Sequence, residues 1–189
     1  MSVKPDAEGL AKSARAASTG GLPPVHLWDP PFCGDLDMRI ARDGTWYYLG
    51  TPIGRKELVR LFSTILRKDG DDYFLVTPVE KVGIVVEDAP FVAVDFEVED
   101  AADGRRIVFV TNVGDRAVAG AEHPVRVEND PQTGEPAPYV LIRANLEALI
   151  DRKSFYRLVE LGEHEDEWFG VRSGGVFFRV HPSRDITQE

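Results

Sequence analysis

Six side chains in this sequence are suited to holding a small charged molecule: Trp46, Arg55, Lys81, Asn112, Arg143 and Arg152. Arg143, like Arg39, falls inside an otherwise apolar run that reads as a strand. A guanidinium there is costly unless it is paired or its head reaches water. Arg55 and Arg152 open two segments that read as helices, a place where the macrodipole disfavours a cation. Two readings account for a misplaced cation that occurs twice. One is a salt bridge to Asp or Glu of the other half of the chain; the other is an anion gripped by guanidinium forks and helix N-termini. Trp46 and Tyr48 on one strand, and Trp168 and Phe169 on another, would make either a flat wall for a ring or ordinary core and cross-strand pairs. Lys81 and Asn112 stand near strand ends as polar contacts.

Other groupings point towards catalysis, and each lacks a necessary part. Cys33 with His26 or His181 would supply a nucleophile and a base, but no local motif places them together. Asp35 and Asp37 alternate on one strand and so share a face, and Glu87-Asp88 forms a second acidic pair. A hydrolase could use such carboxylates, whereas a calcium site would need more oxygen ligands and a turn glycine at set spacing. The four histidines show no metal-ligand spacing. Neither GxGxxG nor a phosphate loop occurs. The expectation is therefore no catalytic residue, no metal and no cofactor, with the hydrolase kept as an alternative.

These side chains hang on a unit that the chain uses twice. Arg55–Leu61 reads RKELVRL and Arg152–Leu158 reads RKSFYRL, with Ile53 and Ile150 at matching places upstream. Asp72-Tyr73-Phe74-Leu75-Val76 is echoed by Glu167-Trp168-Phe169-Gly170-Val171. The order is strand, helix, hairpin both times, and a short helix with one apolar stripe needs a sheet face to cover it. Leu58, Leu61, Phe62 and Ile65 predict a helix over 55–68, with Gly54 as N-cap and Arg67 and Lys68 in the last turn. In the second copy Asp151 is the N-cap, Phe155, Leu158 and Val159 form the stripe, and Gly162 ends it. Ser173-Gly174-Gly175 closes the following hairpin.

With 189 residues and 43% hydrophobic content, the chain can build one large domain or two small lobes. Asp and Glu number 32 against 22 for Lys and Arg, a formal charge of -10. That field opposes nonspecific binding to nucleic acid or an anionic membrane. A single cysteine excludes an internal disulfide and fits a reducing compartment, and with no long apolar stretch the expected location is cytoplasmic.

Residues 1–21 read as a mobile tail, 22–88 as an N-terminal α+β lobe and 89–189 as a C-terminal lobe. The proline-stiffened lead-in is expected to be pinned by Trp28 and Phe32. Val92, Val94, Phe96 and Val98 alternate with Ala93, Asp95 and Glu97, a half-buried strand with an acidic outer face. That face, with Glu99, would suit a basic protein partner. The reading amounts to roughly nine strands and two substantial helices in mostly antiparallel sheet, an α+β fold of two packed lobes built on the duplicated unit.

The segments DGTWYYLGTPIGRKELVRLFSTIL (43–66), YFLVTPVEKVGIVVEDAPF (73–91) and TNVGD (111–115) resemble a bacterial family of small stand-alone proteins of unknown function. The resemblance implies a duplicated α+β core and a C-terminal lobe superficially like a pleckstrin-homology fold. It also implies a nucleotide-like ligand held between the lobes and a role in signalling. Together with the paired arginines, this leads to a noncatalytic sensing module for a small anionic, nucleotide-like ligand at the lobe interface. A protein-interaction module is the alternative from another class.

Overall fold

The amphipathic stretch after Gly54 forms a helix, but one that stops well before its expected end. In the structure, a computed structural model describing residues 4–186, the helix covers only Lys56–Thr64. Arg67 and Lys68, expected in its last turn, lie instead on a strand, Leu66–Asp69. Pairing with the strand Asp72–Val76 decides this, because it buries Leu66 opposite Leu75. The N-cap position belongs to Arg55, whose side chain caps nothing, and not to Gly54.

The chain divides into two units, Met1–Pro90 and Phe91–Glu189. The first contains α1 (Ala7–Ala17), a 3₁₀ turn (Val25–Leu27), β1 (Phe32–Ile40), β2 (Trp46–Tyr48) and β3 (Thr51–Pro52). It continues with α2 (Lys56–Thr64), β4 (Leu66–Asp69), β5 (Asp72–Val76) and β6 (Lys81–Val86). These strands make one sheet in the order β3-β2-β1-β6-β5-β4, antiparallel except for the β1–β6 pair. Leu36, Met38, Ile40, Leu75 and Val82 are buried, together with Phe62 and Ile65 from the α2 segment.

The expected mobile tail over 1–21 is corrected by α1. Asp6 caps its N-terminus by accepting from the Gly9 N–H at 2.8 Å. Leu10, Ala11 and Ala14 are buried, and α1 lies against α2. Three small or medium apolar side chains on one stripe suffice when a neighbouring helix covers them. Residues 1–3 of that tail lie outside the described residues.

The second unit comprises β7 (Phe91–Ala101), β8 (Gly104–Thr111), β9 (Arg116–Val118), β10 (Val125–Asn129), β11 (Pro136–Arg143) and β12 (Leu146–Ile150). After α3 (Arg152–Glu160) come β13 (Glu163–Glu165), β14 (Trp168–Ser173), β15 (Val176–Pro182) and a short α4 (Ser183–Ile186). A six-stranded sheet runs β10-β11-β12-β7-β8-β9, with β12 and β7 parallel, and β13-β14-β15 form an antiparallel meander of their own.

The duplicated plan is visible in both units: β3-α2-β4-β5-β6 and β12-α3-β13-β14-β15 each run strand, nine-residue helix, meander. They differ at the end. The first meander joins its unit's main sheet through β6 and β1, whereas the second stays a separate three-stranded sheet. In α3 Asp151 accepts from the Ser154 N–H at 2.8 Å, as its cap position predicts. Gly162 follows the C-cap Leu161 and ends the helix as expected, its N–H donating to the Val159 carbonyl at 2.9 Å. A Cβ there would fall 2.1 Å from Cζ of Phe169, so glycine lets that ring pack against the chain just after α3.

Candidate ligand-binding sites

Arg143 ends β11, opposite Leu146 across a tight turn. Its side chain is only 18% exposed. Nε lies 3.4 Å from Oδ2 of Asp115, and the guanidinium carbon sits 5.0 Å from the centre of the Phe91 ring. Burial pulls its pKa below the usual arginine value, with the carboxylate of Asp115 opposing that shift. Asp115 is placed by the turn after β8, where its N–H donates to the Thr111 hydroxyl at 3.0 Å.

Asn112 belongs to the same turn. Its backbone N–H donates to the Val92 carbonyl at 2.9 Å, and its Oδ1 accepts from the Val92 N–H at 3.0 Å. Asn112 thus ties the start of β7, which carries Phe91, to the turn that carries Asp115. Two of the six sequence candidates, Asn112 and Arg143, are brought together at one end of this sheet. Asp115 and Phe91 complete the group; both sit in the segments whose family resemblance was noted, but nothing local marked them.

Lys81 begins β6 in the other unit. Its ammonium is 2.9 Å from Oδ2 of Asp69 and 4.1 Å from the centre of the Phe74 ring. Asp69 also receives Arg67, and the Arg67 hydrogen bonds, followed by the Lys81 contact, hold its carboxyl below the usual carboxylate range. The remaining two donors of this arrangement reach back along the chain: Nη1 of Arg67 donates to the carbonyls of Val25 and Trp28, at 2.9 and 2.7 Å. It is this guanidinium, with hydrogen bonds, that fastens the proline-rich lead-in. The expected aromatic pin Phe32 is instead largely exposed on β1.

Trp46 corrects the expectation of a base-stacking wall. It is 1% exposed and stacks on Phe62 of α2, with ring centres 6.4 Å apart and planes 20° from parallel. Its ring is core and offers no face to a ligand. Arg55 and Arg152, matched in the repeat, have unlike surroundings. Arg152 pairs with Glu135 of its own unit at 3.1 Å, both side chains well exposed. Arg55 is exposed and has no ion pair among the described residues.

The carboxylates considered for hydrolysis are separated by their partners. Glu87 pairs with Arg39 and accepts from the Arg42 N–H at 3.0 Å, and Asp88 lies 3.4 Å from Nε of Arg42. Arg39 also packs 4.3 Å over the Tyr47 ring, which answers its cost inside β1. Asp35 and Asp37 share the open face of β1, as their alternation predicts. The thiol of Cys33 donates to the Pro31 carbonyl at 3.4 Å. On the acidic face of β7, Asp95 pairs with Arg157 and Glu97 with Arg116. Among the described residues no three His, Cys, Asp or Glu side chains converge in a metal-ligand group, and no helix is long and apolar enough to cross a membrane.

The fold is thus a two-unit α+β protein carrying a repeated strand-helix-meander, with guanidinium and ammonium groups set on aromatic rings. Family profiles match nearly all of it past α1: "Domain of unknown function (DUF1285), N-terminal domain" over residues 23–89, and "Protein of unknown function (DUF1285), C-terminal domain" over 90–180. The chain belongs to the DUF1285 family. It is similar to the crystal structure of a DUF1285 family protein from Silicibacter pomeroyi DSS-3, at 61% identity, covering 95% of this chain and 98% of that one with a TM-score of 0.88. A DUF1285 family protein from Shewanella baltica OS155 is 30% identical over 66% of this chain and 91% of its own, with a TM-score of 0.53. No curated protein matches the chain.

Proposed function

We propose that this protein is a noncatalytic sensing module that binds a small anionic, nucleotide-like ligand. The observation that carries the reading is Arg143, a guanidinium largely shielded from water yet held in place by a ring and a carboxylate. Arginine stays ionised even when burial lowers its pKa, and its planar fork matches carboxylate and phosphate oxygens. Shielding raises the worth of such a contact, because the local dielectric is lower than that of water. The Asn112 and Thr111 hydrogen bonds fix Phe91 and Asp115 around it before any ligand arrives, which reduces the ordering cost of binding. A noncatalytic role is favoured by the engagement of Glu87 and Asp88 with arginines, which makes them structural partners.

The test is thermal unfolding of the wild type and of Arg143→Lys, each across a panel of mononucleotides, cyclic dinucleotides and inorganic phosphate. A ligand at about 100 times its Kd should stabilise the wild type by about 2.7 kcal/mol. Arg143→Lys keeps the charge and loses the fork, so the apo protein should stay folded while most of the ligand response disappears. No response of the wild type to any of these anions would overturn the reading.

A further inference from the structure

The outer face of the first sheet is broken by a gap at Gly83. Asp35 on β1, Gly83 on β6, Phe74 on β5 and Arg67 on β4 are successive cross-strand partners, so they form one row on one face. Every position in that row carries a side chain except Gly83. A glycine inside a strand marks a close approach, and here the approaching group is Asp35. A Cβ at Gly83 would fall 2.2 Å from Oδ1 of Asp35 and 3.8 Å from the Phe32 ring. The register of β1 shifts between Phe32 and Asp35, at Gly34 with φ of 100°, and this bulge lets both side chains reach the gap.

The result is an open cleft of about 360 Å³. Phe32 and Phe74 meet edge to face in it, with ring centres 6.0 Å apart. Lys81 reaches the cleft already engaged by Asp69 and by the Phe74 ring. The two other charged groups, Asp35 and Asp72, are carboxylates with no hydrogen bond or ion pair among the described residues. A cleft with aromatic walls and carboxylates not already paired attracts a cation twice over, through ring quadrupoles and through charge. We propose that this cleft binds a small organic cation, a primary amine or guanidinium joined to a flat apolar body, with Asp35 accepting from its N–H groups and the Phe32–Phe74 pair forming the apolar wall against which the body lies. The site lies wholly within the first unit and has the opposite charge preference from the Arg143 group.

Three probes with the same ring separate charge from shape: tyramine is a cation, tyrosol is neutral and 4-hydroxyphenylacetate is an anion. Each is titrated into the full chain while backbone amides are followed by ¹H–¹⁵N NMR. Tyramine should shift residues 32–35, 72–74 and 81–84 saturably, with tyrosol about tenfold weaker, the worth of one charge-assisted hydrogen bond. The anion should leave those residues unmoved. Asp35→Asn keeps the shape of an exposed side chain, so its spectrum should remain folded elsewhere while tyramine affinity falls to that of tyrosol. Gly83→Ala, which displaces the Asp35 carboxylate, should weaken tyramine as well. Equal binding of tyramine and tyrosol, full affinity in Asp35→Asn, or no saturable shift at these residues would each overturn the proposal.

Discussion

The hydroxyl of Ser173, fully buried at the end of β14, accepts a hydrogen bond from the Ile107 N–H of β8 at 2.8 Å. The same oxygen donates to the Ala119 carbonyl at 2.8 Å, so one atom joins the three-stranded meander to the six-stranded sheet. Beside it Gly174 approaches so closely that a Cβ would lie 2.8 Å from the Ala119 carbonyl oxygen. Ser173→Ala should leave a buried donor and a buried acceptor unsatisfied, at a cost of about 1–3 kcal/mol each. Urea unfolding with an unchanged m-value would report this directly. A loss below the error of extrapolation would mean that the two sheets do not depend on this link.

Asp69 should confer acid sensitivity on the first unit. Its folded-state pKa is depressed, chiefly by the Arg67 hydrogen bonds, with burial opposing the shift and Lys81 adding to it. A depressed carboxylate contributes stability that is fully present above its unfolded pKa of about 3.9 and is lost as pH falls through the lower native value. Asp69→Asn should therefore show a shallower decline in stability between about pH 5 and pH 2 than the wild type, with the two curves converging at the acid end. Parallel curves would show that the carboxylate titrates alike in the folded and unfolded chains. Arg67→Ala should lower stability as well, and should release the Val25–Trp28 segment to faster amide exchange, since two carbonyls there lose their donor.

Arg55 and Arg152 occupy matched places in the repeat and should respond differently. Arg152 is paired with Glu135 in full view of solvent, at 70% and 63% side-chain exposure, so Arg152→Ala should change stability by about 0–1 kcal/mol. Arg55 stands at an N-cap with no capping side chain. Arg55→Asp supplies both a cap and the charge that the macrodipole favours, and should stabilise by about 1 kcal/mol. Equilibrium unfolding of the two variants decides the matter. If Arg55→Asp destabilises, the arginine carries an interaction that outweighs a good cap.

Much of the fold could be read locally. The α+β class, each copy of the repeated unit, the Asp151 cap, the Gly174-Gly175 turn and the shared face of Asp35 and Asp37 all rest on residues within a few positions of one another. Each is visible because a helix or strand imposes its period on neighbouring residues. The same reasoning carried α2 too far, to Lys68, because Ile65 and Leu66 continue an apolar helical spacing just as well as they begin a strand. It also left α1 as a loose tail, since three buried apolar side chains are too few to predict without knowing that α2 lies against them.

The groups around the candidate sites required the tertiary structure. Arg143 and Asp115 are 28 residues apart, Asp35 and Gly83 nearly fifty, and Ser173 and Ile107 are 66 apart. Their meeting depends on the parallel β1–β6 and β12–β7 pairs and on the packing of β14 beside β8. By itself the sequence determined the α+β class, the Asp151 cap, the Gly174-Gly175 turn and that the plan is used twice, because those choices are settled by local backbone sterics and the alternation of apolar side chains. Only the tertiary structure decided that Trp46 is core, that Arg67 clamps the lead-in and that Asp35 stands in the gap left by Gly83. Which strand lies beside which is a balance of burial and hydrogen bonding over the whole chain, and a local window contains none of the partners that settle it.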